Sequence, residues 1–300
     1  MIIFFLPDSY KAKPDTQESE MTENRRKSIL CPNCNKLISV DEPACPHCGV
    51  SRPGSWWKSL LTTKGLFSSE RIIKTIVYTN VGMYLISLLM NPTRMGLSAN
   101  PFTFLSPSSN ALILLGSTGT IPIDQMHRWW TLISANYLHG GLLHIFFNMI
   151  ALNQIAPLAI REYGVNRFVS LYTLGGIIGF FVSYVFGVRF TLGASAAICS
   201  LIGANLYYGK SRGGTYGQAI YKQMSGWLVG LLLLGFLPGI NNWGHGGGIM
   251  GGIVVAYLLG YEEKKRENLI HKSLGGICVV LTVAVLVWAV SSSLLYRFFA

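Results

Sequence analysis

The sequence predicts an all-α polytopic membrane protein with a small metal-binding module ahead of its first crossing. Three observations predict it: seven long apolar stretches from Ile72 onward, a composition that is 50% hydrophobic and only 12% charged, and a one-sided placement of Lys and Arg. Soluble domains carry about a quarter charged residues, so this profile excludes an ordinary soluble enzyme and a disordered chain. Six cysteines in 300 residues also exclude a disulfide-stapled secreted domain.

The chain opens with a flexible polar tail over residues 1–28. Its apolar run Met1–Leu6 is too short for a signal sequence or a crossing. Met21 opens a more ordinary basic start, which makes residues 1–20 a candidate over-extended gene start. Residues 29–52 hold Cys31-Pro-Asn-Cys34 and Cys45-Pro-His-Cys48-Gly49, two CxxC knuckles with ten residues between them. Each pair lets two thiolates converge on one ion, and four close a tetrahedral zinc site. A redox pair or unrelated thiols are the alternatives; two knuckles with Pro and Gly in turn positions favour structural zinc. The module resembles a short zinc ribbon. A closed four-thiolate site does no chemistry itself, so it binds a cytosolic partner or caps the tail. His47 reads as a solvated neighbour, and residues 53–71 as a linker.

About 20 residues cross the hydrocarbon core, and 17 suffice when the ends snorkel. The expected crossings are Ile72–Met90, Gly141–Ile160, Phe168–Val188, Gly193–Gly209, Lys222–Pro238, Trp243–Gly260 and Gly275–Leu295. The connection between the first two carries the Trp129–Trp130 pair, and indoles favour the membrane boundary. That connection is therefore expected to lie along the surface. With the N-terminus in the cytosol, 20 of the 24 Lys and Arg fall on the inner side. The +11 net charge thus reads as topology and contact with anionic lipid, and nucleic acid is not an expected partner.

Polar groups inside a bilayer are costly and mark function. All 13 acidic residues lie outside the expected crossings, which excludes a membrane aspartyl protease and disfavours proton-coupled carriers. No HExxH motif is present either. What remains is His, Ser and Asn. The second, fourth and sixth crossings all run from outside to inside. His144 and Asn148, Ser195, and His245 lie on these three, each within roughly 12 Å of the outer helix end at 1.5 Å per residue. Gly244, Gly248, Gly252 and Ala256 make a small stripe on the sixth; Ser195, Cys199 and Gly203 make one on the fourth. Small faces let membrane helices approach closely, and a close crossing there brings a hydroxyl to an imidazole.

These residues resemble the rhomboid intramembrane serine proteases. Gly193-Ala-Ser195-Ala196 is similar to their GxSG nucleophile motif, and His245-Gly-Gly-Gly248-Ile-Met-Gly-Gly252 to their HxxGxxxG helix. His139 with His144-Ile-Phe-Phe-Asn148 is similar to their HxxxxHxxxN segment. The resemblance spans residues 72–260 and implies a six-helix bundle, to which residues 261–300 add a cytosolic loop and a seventh membrane helix. It implies Ser195 as nucleophile and His245 as general base and later acid. The oxyanion would be held by the Ser195 N–H with His144 and Asn148, and His139 would support. No acid is available to orient His245, so a dyad is implied, with no cofactor for catalysis. Substrates would be transmembrane proteins cut near the outer face. Three residues depart from the family pattern: Ala196 for a glycine, Cys199 for a tyrosine over the histidine, and Thr131 for an arginine.

Two rival readings stand beside this one. One is a rhomboid-like protein that binds membrane segments without cutting them; the other is a channel or carrier lined by His144, Asn148 and His245. His127 and His271 read as loop residues, and Cys278 as lipid-facing packing.

Overall fold

A computed structural model describes residues 28–31, 36–55, 69–90, 96–97, 104–237 and 239–299. The chain divides into two compact units, residues 1–68 and 69–300. The tail expected over residues 1–28 is described only at Ser28, and Cys34 and most of the 53–71 linker lie outside the described residues.

In the first unit, β1 (Ser28–Leu30) pairs antiparallel with β2 (Leu37–Ser39), with Ile29 opposite Ile38. Ile38 is buried with Cys31 and Cys45 in a core of its own. The Cys31 N–H donates to Lys36 O at 2.8 Å, and the Cys45 N–H donates to Val50 O at 2.9 Å. Both knuckles therefore close on the residue five positions ahead. Gly49, at φ +74°, takes the left-handed turn that the second one needs.

The second unit is mostly helical. Among the described residues, seven helices reach 18 residues or more: α1 (Ser69–Leu89), α2 (Leu142–Tyr163), α3 (Val165–Val185), α4 (Ser195–Arg212), α5 (Gly214–Leu234), α6 (Asn242–Leu259) and α7 (Leu269–Phe299). Each overlaps one expected crossing. Four have the length and apolarity to cross a membrane: 70–89, 142–163, 165–185 and 269–297. α4 falls short because it is largely enclosed by other helices, and α6 because its packed face is written in glycine. A helix that does not face lipid can give its positions to glycine and polar residues. Between α1 and α2 lie a short hairpin, β3 (Gly96–Leu97) with β4 (Phe104–Ser106), the helix Ser109–Leu114, a π-helical turn Ile121–Gln125 and the helix Thr131–Ser134. This connection is packed into the fold, since Leu115 and Leu138 are fully buried.

α6 runs between α3 and α4 at backbone distance. A Cβ at Gly252 would overlap the Ser200 carbonyl, and a Cβ at Gly203 would overlap that of Ile249. The crossing is thus closed from both helices. On its other side, Gly247 and Gly251 lie against Val182 and Ile178 of α3. The two small-residue stripes read from the sequence, on α4 and α6, are one side of this arrangement, and the contact with α3 is the other.

The far end of the bundle is held by polar groups. Arg167, fully buried, pairs with Glu262 at 3.1 Å and donates to Tyr163 O at 3.0 Å and to Lys265 O. Glu267 accepts from Arg167 N at 2.9 Å and from Asn166 Nδ2 at 2.8 Å. The α6–α7 connection is clamped in this way onto the α2–α3 junction. Two sequence expectations are corrected here. His271 is a buried residue of α7, its Nδ1 accepting from Asn268 N at 3.1 Å and lying 3.4 Å from Arg167. Cys278 is 3% exposed and packs in the core, because α7 lies against α3.

Candidate active site and metal centre

Ser195 is the first residue of α4. The segment leading to it is fixed from both sides. Thr118 and Thr191 exchange backbone hydrogen bonds at 3.0 and 2.7 Å, and the Gly193 N–H donates to Ala135 O at 2.8 Å. Gly193 sits at φ +127°, where an L residue is strained, and a Cβ there would meet His144 Nε2 at 2.7 Å and Ser195 Oγ at 3.7 Å. The absent side chain leaves open the space that the imidazole of α2 and the serine hydroxyl both border. Ile198 N donates to Ala194 O at 2.9 Å as the first backbone bond of α4. The N–H groups of residues 195–197 therefore have no acceptor within the helix and point toward the same space.

His144 Nδ1 accepts from the Gly140 N–H at 3.4 Å, which leaves the proton on Nε2, the atom facing Gly193. Asn148, one turn along α2 and 7% exposed, donates from Nδ2 to His144 O at 2.8 Å. Its second amide hydrogen is not needed for that bond. His139 is fully buried, with its ring edge-on to that of His144 at 5.0 Å.

His245 lies in the first turn of α6, and its N–H donates to Asn241 O at 3.1 Å. One turn below it, a Cβ at Gly248 would overlap Ala196 O and meet Cys199 Cβ at 3.0 Å. The residue after Ser195 and the residue one turn after His245 therefore share a backbone contact. No hydrogen bond joins the Ser195 hydroxyl to the His245 ring in this arrangement. His245 Nδ1 has no hydrogen-bond partner, and no aromatic ring packs on the imidazole among the described residues. Catalytic hydrogen bonds are commonly loose without substrate.

The departures from the family pattern have local answers. The Ala196 methyl would lie 3.0 Å from a Cβ at position 179, where this chain has glycine. Thr131 Oγ1 donates to Arg128 O at 2.6 Å and lies 3.0 Å from Thr118 Oγ1, so threonines hold the loop. Cys199 is fully buried beneath the site.

Sequence reasoning missed Asn241. It caps α6, its Oδ1 accepting from Gly244 N at 2.9 Å, and its Nδ2 donates to Ser183 Oγ and Thr191 Oγ1, each at 2.8 Å. An Asn ahead of an apolar helix is a capping signal. Nothing in the sequence marks its two hydroxyl partners, which lie 58 and 50 residues away.

In the first unit, the Sγ atoms of Cys31, Cys45 and Cys48 lie within 4.8 Å of one another, and Cys31 and Cys48 are 3.6 Å apart. A disulfide would put sulfurs about 2.05 Å apart. Thiolates at about 2.3 Å from a tetrahedral zinc are about 3.8 Å apart. The three sulfurs fit the second arrangement.

A family profile described as the Rhomboid domain matches residues 126–262. The chain is 33% identical over 159 residues to rhomboid protease GluP of Bacillus subtilis (strain 168), covering 53% of this chain and 31% of that protein. It is 35% identical over 160 residues to RHOMBOID-like protein 5 of Arabidopsis thaliana, covering 52% of each. To the Bacillus subtilis rhomboid homologue YdcA it is 33% identical over 142 residues, covering 46% of this chain and 71% of that one. The match thus spans about a third to a half of the first two relatives. The profile and the apolar helices together make this a multi-pass membrane protein, and the chain belongs to the rhomboid family.

Proposed function

We propose that the chain is an intramembrane serine endopeptidase that cuts transmembrane proteins near the outer membrane face through a Ser195–His245 dyad. One observation carries the reading: a glycine at φ +127° leaves open a space at the free end of α4 that both His144 Nε2 and Ser195 Oγ border. His245 takes the serine proton as the hydroxyl attacks the scissile carbonyl, then returns it to the leaving amine. The developing oxyanion is met by the Ser195 N–H, the His144 Nε2–H and the second N–H of Asn148. One such donor is worth about 3–4 kcal/mol in the transition state. Because an intact helix keeps its carbonyls in internal hydrogen bonds, substrates carry small or helix-breaking residues beside the cut. The architecture is six helices plus α7, with the N-terminus in the cytosol. Cys31, Cys34, Cys45 and Cys48 hold one structural zinc in a ribbon over residues 29–52.

The unmade Ser195–His245 hydrogen bond favours the second reading, a rhomboid-like protein that binds membrane segments without cutting them. A fluorophosphonate probe separates the two. The dyad predicts covalent labelling at Ser195, read by mass spectrometry, and none in Ser195→Ala or His245→Ala. Equal labelling of all three proteins overturns the dyad.

A further inference from the structure

We propose that Asn241 is a positioning residue for the serine–histidine pair, its amide fastening the helix that carries His245 to the segment that delivers Ser195. This rests on the dyad reading above. Among the described residues the His245 ring has no partner on Nδ1 and no aromatic ring stacked over it, so the imidazole is placed through its backbone. That backbone is the first turn of α6, and the first turn is anchored at Asn241.

The anchor uses both amide hydrogens of the side chain and one lone pair of its oxygen. The Gly244 N–H can only donate, so the amide oxygen must face it, at 2.9 Å. The nitrogen then faces both hydroxyls at 2.8 Å. Ser183 Oγ sends its own hydrogen to Gly179 O at 3.1 Å and so accepts from Asn241. Thr191 is itself fixed, its backbone paired with Thr118 and its side chain 7% exposed.

The spacing gives the bridge its meaning. Asn241 lies four residues before His245, and Thr191 lies four before Ser195. One hydrogen bond thus joins the two approaches to the site, and a second ties both to α3. Phe186 stacks on Trp243 at 3.6 Å beside it, which adds area but does not fix register. A shift of about 1 Å at a reacting group costs on the order of a hundredfold in rate. The bridge sets the distance between the reacting atoms, and the cap alone would only hold the helix end.

The test measures fluorophosphonate labelling of the purified full chain, separating the maximal rate from probe affinity, beside thermal stability. Thr191→Val keeps the cap and removes only the bridge. It should lower the maximal rate about tenfold or more, with affinity within about twofold and stability near wild type. Asn241→Ala should lower the rate at least as far, and the double variant no further, since both remove one link. Asn241→Asp should recover most of the rate, because its carboxylate still caps Gly244 and accepts from both hydroxyls once they rotate. A wild-type rate in Thr191→Val beside an unlabelled Ser195→Ala overturns this proposal alone. So does an Asn241→Ala protein that melts early while its folded fraction reacts at the wild-type rate. Labelling of Ser195→Ala at the wild-type rate overturns the dyad and this proposal with it.

Discussion

Removing the His245 imidazole is expected to lower turnover of a membrane substrate by about 10⁴-fold or more, with Ser195→Ala comparable and the double variant no worse than either. A serine hydroxyl without its base is a poor nucleophile, and a base without its nucleophile has nothing to activate, so the two act as one unit. The residual rate over water would come from the donors around Gly193. Steady-state kinetics on all three variants checks this. Additive losses in the double variant would show two independent contributions and contradict the dyad.

The second large effect is expected in the tail. Among the described residues of 28–55, Cys31, Ile38 and Cys45 form a core with only Ile29, Cys48 and Val50 packed on it. A core of this size does not hold a fold by itself. Zinc on four thiolates supplies about 10–16 kcal/mol of apparent binding energy, which in such a unit is folding energy. Elemental analysis of the purified chain should give about one zinc per molecule. Chelation or Cys31→Ser should release it and abolish hydrogen-exchange protection at Ile29 and Ile38. Fluorophosphonate labelling at Ser195 should persist, since the proposed zinc takes no part in the proposed dyad. A metal-free tail with intact protection would contradict the zinc assignment.

Much of the membrane unit was legible because its helices are written in apolar runs. The limits are physical. α5 was expected to start at Lys222 but begins at Gly214, and α7 was expected over 275–295 but covers Leu269–Phe299. Hydropathy marks the part of a helix that needs an apolar solvent, whereas hydrogen bonding carries the helix past it. His271 looked like a loop residue for the same reason, since nothing local reveals that Arg167 waits across the bundle.

At the site, the residues on helix faces were legible and the bonds between segments were not. Ser195, His144 and His245 stand out because polar groups are rare in apolar stretches. Their shared depth follows from counting along three helices. The Gly193 turn was read as a motif, yet its reason, the approach of His144, needed the fold. Asn241 and Thr191 sit outside the apolar runs, where polar residues are ordinary, and Ser183 is one small hydroxyl within a run, so their joint role had no signature.

The central claim is tested most directly by reconstituting the full chain in liposomes with a single-pass substrate whose membrane helix carries small, helix-breaking residues near its outer end. Fragments are then mapped by mass spectrometry. The account predicts one cut within or beside the outer end of that helix by the wild-type protein, and an intact substrate with Ser195→Ala. The same fragments from Ser195→Ala, or binding of the substrate by the wild type with no cut at all, would contradict it.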